Sequence, residues 1–307
     1  NNPTLLKAQN QVTSSAIDLQ LSKYKILPSA SIAAEHYFAF GKNIDPVTNN
    51  FVNERFSGGY AGLGAQLNII SGFNTLYSIK QNKYKLQATQ KAQQRIELEV
   101  ESGISLAYSR LLYSREQAGL IRKNIEKTEA ELEVTNEKII AGKVTKNEYY
   151  LVNARFQSEL ADLITVQNDS LYAKEELKQL MGLNFRDEFD ITPLDSSAIT
   201  EIMSVQIVVP EMLEKILARH PAIGEARMDA EAVRMAVSVA KSYLYPTLSL
   251  KGSLSSNYNI GEKGTNGEKI PLYPQLDNNF GQNISLIIQV PIFSQMRSAG
   301  KIKKEKI

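Results

Sequence analysis

Cysteine is absent from the 307-residue chain, and histidine occurs only at His36 and His220. Without cysteine there is no disulfide framework, no thiolate metal site and no cysteine nucleophile. Two histidines far apart in pattern do not make a metal site, so no catalytic, cofactor-binding or metal residue is expected, and no cofactor. An excess of one charge is also lacking. Lys plus Arg number 35 against 33 Asp plus Glu, and the formal charge of +2 indicates no basic surface for nucleic acid. Long apolar runs are missing as well. The longest candidate, Ile284 to Phe293, is interrupted by Gln289 and Pro291, short of the roughly 18 apolar residues of a transmembrane helix. If the chain crosses a membrane it must do so with strands, whose backbone groups are satisfied by pairing. The hydrophobic share of 43% is ample for a core. The chain opens at Asn1-Asn2-Pro3 with no charged and apolar leader, so a secretory signal is expected to have been removed or to lie outside it.

What the chain does contain is an internal repeat. Pro3 and Pro28 are spaced as Pro221 and Pro246 are, and a shift of 218 aligns the stretches between them. Leu5, Val12, Leu19 and Ile26 recur every seven residues in the first copy, as Ile223, Ala230, Val237 and Leu244 do in the second. Each copy therefore reads as an amphipathic helix. Asn2 and His220 stand where a cap precedes a proline at the first helical position, and Pro28 and Pro246 end the helices. Beyond those prolines the period changes to two. Ala30, Ile32, Ala34 and Phe38 alternate with Ser31, Glu35 and Tyr37; Leu248, Leu250 and Leu254 alternate with Thr247, Ser249, Lys251, Ser253 and Ser255. Polar stretches at 39–59 and 259–280 read as long hairpin loops before return strands. One face of the first return strand is Ala61, Leu63, Ala65, Leu67 and Ile69; one face of the second is Ile284, Leu286, Ile288 and Val290.

From Ser71 a helical pattern runs to about Ala141, on the order of 100 Å of helix at about 1.5 Å per residue. Ile104, Leu111, Ala118, Ile125, Leu132 and Ile139 recur at intervals of seven, with Ala107, Ser114, Ile121, Thr128 and Thr135 between them. This is a coiled-coil seam whose second position is mostly small, suited to close packing in a larger helical assembly. Gly142 ends the helix, Val144-Thr145 turns the chain, and Gly182 stops the returning helix. The first repeat is thus residues 1–208, comprising helix 3–27, hairpin 29–70, long helix 71–141, return helix 145–181 and linker 183–208. The second is residues 209–307, comprising helix 210–245, hairpin 247–292 and the start of a long helix at 294–307.

Four strands cannot close a barrel alone, and unpaired backbone groups in hydrocarbon are costly, so closure demands other subunits. The alternation assigns Ile32, Leu63, Leu67, Leu248, Leu250, Leu254, Ile284, Leu286 and Ile288 to lipid, and Ser31, Glu35, Gln66, Ser249, Lys251, Ser253 and Gln289 to a wet lumen. Tyr37, Phe38, Phe40, Phe56 and Tyr60 cluster at the loop ends, where an aromatic girdle would sit. Other patterns have plain explanations. Glu97, Glu99, Glu101, Glu126, Glu129, Glu131 and Glu133 read as a solvated helix face, because carboxylates two apart diverge on a helix. Gly58-Gly59-Tyr60-Ala61-Gly62 lacks the lysine and βαβ setting of a phosphate loop.

The proline helix starts, the Ile26-Leu27-Pro28 and Leu244-Tyr245-Pro246 exits, the Val290-Pro291-Ile292-Phe293 junction, Ala141-Gly142-Lys143-Val144 and Leu180-Met181-Gly182 occur in a fixed and duplicated order. In this the chain resembles the TolC-like outer-membrane efflux proteins, the outer membrane factors. The resemblance implies a mainly α fold with β: long antiparallel coiled-coil helices and two β-hairpins per chain, arranged as an internal two-fold repeat. It also implies a homotrimer with a 12-stranded transmembrane barrel in the outer membrane and an α-helical barrel in the periplasm. The implied function is a non-enzymatic, passive conduit of a tripartite efflux or type I secretion system. Its implied partners are a periplasmic adaptor (membrane fusion) protein, an inner-membrane RND or ABC pump and outer-membrane lipid. By motif position Gly142, Lys143 and Val144 become the adaptor-contact tip. Family members are longer at both ends, so the chain is expected to be truncated, and no gate residues are named. The alternative from another class is a soluble or periplasmic coiled-coil adaptor or scaffold, which predicts a hydrophobic core enclosed within one chain.

Overall fold

The computed structural model describes residues 2–44, 51–53, 56–184, 186–193, 195, 200, 203–204, 209–261, 268–293 and 296–306. In chain order the elements are α1 (Pro3–Tyr24), β1 (Ser29–Ala39), β2 (Lys42–Ile44), β3 (Phe51–Asn53), β4 (Phe56–Ser71), α2 (Asn74–Ile140), α3 (Lys146–Met181), α4 (Val209–Arg219), α5 (Pro221–Ser242), β5 (Thr247–Ile260), α6 (Leu272–Asn278), β6 (Gly281–Gln289) and α7 (Arg297–Glu305). They gather into two compact units, Asn1–Thr13 with Ala88–Ala226 and Ser14–Gln87 with Arg227–Ile307.

The repeat extends to single hydrogen bonds. Asn2 Oδ1 accepts from the backbone N–H of Thr4 at 2.8 Å, and His220 Nδ1 takes the same place before Ala222 at 3.3 Å. These are equivalent caps on α1 and α5, each satisfying an N–H that the helix leaves open. At the other ends the N–H groups of Ile26 and Leu27 donate to the carbonyls of Lys23 and Tyr24, as those of Leu244 and Tyr245 do to Lys241 and Ser242. Both helices close in this tightened turn, three residues short of the expected 27 and 245. A residue preceding proline is pushed out of the α region, which explains the early end. The single helix expected at 210–245 is two, broken at His220, because Pro221 has no N–H with which to continue α4.

The first unit holds the paired seams of α2 and α3. Along α2, Ile104, Ala107, Leu111, Ser114, Ala118, Ile121, Ile125, Thr128, Leu132, Thr135 and Ile139 are all buried or half-buried. In α3 the matching series is Val152, Phe156, Glu159, Leu163, Val166, Ser170, Ala173, Leu177 and Leu180, at alternating spacings of four and three. Buried hydroxyls in the seam bond to their own helix: Ser114 Oγ donates to the Leu111 carbonyl at 3.1 Å and Thr135 Oγ1 to that of Glu131 at 2.7 Å. Leu111 and Leu177, 1% and 2% exposed, centre the core with Ala107, Ala173 and Ile191; full burial of each leucine contributes about 1.5–3 kcal/mol.

Ile191 belongs to the stretch expected as a linker at 183–208, and its described part is a packed strap rather than a free connection. Phe189 lies against the same core, Tyr108 Oη donates to the Thr192 carbonyl at 2.8 Å, and Arg115 pairs with Asp190. The remainder of that linker lies largely outside the described residues.

The second unit is built on a four-stranded antiparallel sheet in the order β1-β4-β5-β6. The loops expected at 39–59 and 259–280 are partly ordered: β2 pairs with β3, and α6 packs on β5. Asn259 N donates to Gln275 Oε1 at 2.7 Å, Ser256 Oγ to the Leu276 carbonyl at 2.7 Å and Asn279 Nδ2 to the Asn257 carbonyl at 2.9 Å. These bonds cover the edge of β5 beyond the reach of β6, whose pairing with β5 ends at Ser255. A bulge between Asn68 and Ile70 corrects the expected face of the first return strand. Ile69 is the extra residue, and Ile70 stands opposite Leu248. The strand-to-helix junction falls at Gly72 and Phe73, both at positive φ (59° and 67°), so α2 begins at Asn74 rather than at 71. Asn74 Nδ2 fastens this junction to Ser242 Oγ at 2.8 Å.

Two outcomes follow from these contacts. Gly142 carries φ of +69°, and the N–H groups of Gly142 and Lys143 donate to the Ile139 and Lys138 carbonyls, as Gly182 and Leu183 do at the end of α3. A side chain there strains the backbone by about 1–2 kcal/mol, so Gly142→Val should lower the denaturant midpoint of the hairpin; an unchanged midpoint contradicts the cap. The second outcome concerns pH. Asp190 is held below the ordinary carboxylate range by the Arg115 hydrogen bond and then by the Ile191 N–H. A depressed folded pKa gives stability that is present above the unfolded value of about 3.9 and lost as pH falls through the folded one. Hydrogen-exchange protection of Ile191 should fall with acid below pH ~4, and Asp190→Asn should abolish that dependence.

Candidate functional site

There are two separate candidate sites, the faces of the sheet in the second unit and the turn between α2 and α3 in the first. Strand pairing places residues directly opposite one another on a common face. Ile32, Leu63 and Leu254 form one such row; Leu67, Leu250 and Leu286 form another; Ile70, Leu248 and Ile288 a third. Ile284 joins them opposite Gly252. All nine residues expected toward lipid thus share one face, with Ile70 added by the bulge.

The other face collects all seven residues expected toward the lumen. Ser31 lies in a row with Gly64, Ser253 and Asn283; Gln66 and Lys251 in a row with Ser29 and Ser285; Glu35 opposite Tyr60; Ser249 opposite Ile287; Gln289 opposite Thr247. Ile287 is the one large aliphatic side chain on it, and its neighbours Asn68 and Ser249 are polar.

The two faces differ in shape as well as chemistry. The apolar one is open, with Ile32 81% and Ile284 82% exposed. The polar one is hollowed. A cavity of about 270 Å³ opens on the rows around Lys251, and one of about 690 Å³ lies where Ser29, Gln66, Asn68, Thr247 and Gln289 meet the helix ends at Tyr24, Asn74 and Tyr243. A sheet whose hollowed side is polar and whose open side is aliphatic inverts the arrangement of a soluble domain. An exposed aliphatic surface of this extent is not what the enclosed core of a soluble scaffold predicts.

The expected aromatic girdle is divided between the faces. Phe38 stands on the apolar face, whereas Tyr37 and Tyr60 stand on the polar one, where their rings cover Gly58 and Gly62. The side chain of Phe56 lies outside the described residues. On the apolar face near the loops, His36 Nδ1 meets Tyr258 Oη at 2.8 Å, Ser57 Oγ meets His36 Nε2 at 3.1 Å, and Phe38 packs edge-on against the imidazole. Tyr258 lies across Gly59, so any side chain at that position would displace the ring. The glycine run is therefore a bed for tyrosine rings. Alternation alone missed Tyr258, 222 residues from His36; only strand pairing brings the two together.

At the turn between α2 and α3, Gly142 and Lys143 are exposed and Val144 is half-buried, with Ile140 beside them 80% exposed. The structure thus brings the three tip residues to one turn on the surface.

No family model matches the chain. Curated relatives do, two of them as follows. The pyoverdine export outer membrane protein OpmQ of Pseudomonas aeruginosa is 24% identical over 266 residues, covering 85% of this chain and 50% of that protein. The outer membrane protein TolC of Vibrio cholerae is 23% identical over 185 residues, covering 55% of this chain and 41% of that protein. The chain thus spans about half the length, or less, of the curated relatives it matches. Among solved structures, the CusC channel superposes with a TM-score of 0.80 at 16% identity, over 100% of this chain and 66% of that one. Duplicated helix caps, polar and apolar sheet faces, relatives and fold point the same way: the chain is similar to outer-membrane export proteins of the TolC type and has the fold of the CusC channel.

Proposed function

We propose that three copies of this chain close a single 12-stranded barrel in the outer membrane, continued by their helices into a periplasmic tunnel that passes solutes outward without catalysing a reaction. One observation carries the reading: among the described residues the sheet ends at two strands, β1 and β6, each paired on one side, on a layer whose aliphatic face is exposed. In hydrocarbon each unpaired N–H or C=O costs several kcal/mol, and pairing β1 of one copy with β6 of the next removes both edges at once. Strands of 9–16 residues suit a tilted crossing of a bilayer. In this reading residues 1–208 are one structural repeat and 209–307 the beginning of a second.

The conduit is the outer-membrane component of a tripartite efflux or type I secretion system. Support comes from the relative named for pyoverdine export and from the tip. There Ile140, Tyr150 and Leu151 are exposed around Gly142, Lys143 and Val144, an apolar patch suited to a coiled-coil partner. That partner is a periplasmic adaptor, itself joined to an inner-membrane pump.

Two experiments test the barrel. Replacing Leu250 by Arg places a charge on the lipid side at a cost of roughly 2–4 kcal/mol per copy near the bilayer midplane. Detergent-extracted membranes should then yield little trimer; recovery equal to wild type would sink the assignment. The second uses the absence of native cysteine. Within one chain β1 and β6 are separated by β4 and β5, about 14 Å at 4.8 Å per step, beyond disulfide reach. Cysteine pairs placed on β1 and β6 should therefore cross-link only between copies, giving a covalent three-chain species on oxidation. Failure of every register to yield more than monomer would contradict closure.

A further inference from the structure

Across the four strands of the sheet the only Asp, Glu, Lys or Arg side chains are Glu35 and Lys251, and both stand on the polar face. Lys251 sits in the row Ser29–Gln66–Lys251–Ser285, next to the row Ser31–Gly64–Ser253–Asn283. The hollow of about 270 Å³ between these rows is lined by hydroxyls, side-chain amides and small residues, with one ammonium and no carboxylate. No ion pair among the described residues involves Lys251. Glu35 cannot reach it. Glu35 stands opposite Tyr60, which pairs with Asn257, six residues along β5 from Lys251, about 20 Å at 3.3 Å per residue. That exceeds two Debye lengths of about 8 Å at physiological salt, so the two charges act separately.

From this arrangement we infer that Lys251 and the hydroxyl- and amide-lined hollow around it form an anion site in the lumen, and that this site sets the charge preference of the conduit. The ligand class is a small anion or the carboxylate, phosphate or sulfonate group of a larger solute. The lysine supplies a compact charge with three donors, and Ser29, Ser31, Ser253 and Ser285 can replace the water that such a group sheds. The side-chain amides of Gln66 and Asn283 add further donors. Three-fold symmetry would place three of these hollows at one level, a ring of positive charge that repels cations and draws anions inward. The ring is weak enough for release, because each ammonium remains exposed to the lumen. Glu35 would form a ring of opposite sign nearer the loops. The inference rests on the barrel reading, since only a closed lumen turns one lysine per chain into a ring.

The test is a planar bilayer carrying the purified full-length trimer under a potassium chloride gradient, with the reversal potential reporting the chloride-to-potassium permeability ratio. Lys251→Gln should lower that ratio about twofold or more, Lys251→Arg should retain it, and Glu35→Gln should raise it. Inorganic phosphate should reduce chloride current through the unaltered protein, and this block should weaken as salt rises toward 1 M. A trimer that carries no current overturns the conduit itself and the inference with it. Current with the same reversal potential in Lys251→Gln as in wild type overturns the inference alone. Should that variant fail to assemble, the phosphate titration on unaltered protein decides, and chloride current indifferent to phosphate refutes the site.

Discussion

Among the described residues no strand pairs with the outer edge of β1 or of β6, and the backbone groups on those two edges set the constraint around which the sheet is organised. A soluble sheet would blunt its edges with charge, proline or a covering helix. Here such covering appears only where β5 outruns β6, through α6 and Gln275. Among the described residues no strand pairs with the β1 and β6 edges along the stretch that carries the aliphatic face. Bare edges and an oily outer face are both liabilities in water. In the proposed barrel both would be removed by the same event, lateral pairing with identical chains inside a bilayer.

The helices solve a different problem with the same economy of side chains. The α2 seam alternates large aliphatic residues with Ala107, Ser114, Thr128 and Thr135. Small residues let helices approach closely, and the hydroxyls among them can be buried because they bond back to their own helix. Outside the seam most positions are solvated, and the ion pairs there, such as Arg110 with Glu176 and Arg155 with Glu131, are exposed and add little stability. Specificity at the helix ends comes from backbone capping instead. Asn2 caps α1 with its oxygen while its amide donates to the Leu180 carbonyl at the end of α3, so one side chain fixes two helix termini.

The repeat shows which features tolerate divergence. Asn2 and His220 differ chemically yet occupy the same cap, because each offers an acceptor at the right height above the first turn. The return strands differ in length, 16 residues in β4 against 9 in β6, and among the described residues only the first carries a bulge. Constraint is tight where a helix must start or a strand must keep its aliphatic side chains on one face, and loose in the loops between strands.

Local periodicity determined a large part of this protein. Heptads named the seams of α2, prolines bracketed α1 and α5, and alternation sorted Ile32, Leu250 and Ile284 from Ser31, Lys251 and Gln66. Each of these depends only on neighbours a few residues away, because helix and strand periods are set by backbone geometry. Tertiary structure decided what distant residues do to one another. The bulge that exchanges Ile69 for Ile70, the strap that buries Ile191 on Leu111, the tyrosines laid over Gly58, Gly59 and Gly62, and the meeting of His36 with Tyr258 all depend on pairing across long separations. Register and side-chain contact between remote segments are set by the summed packing of the whole sheet and core, and no periodic signal in a single stretch of chain records that sum.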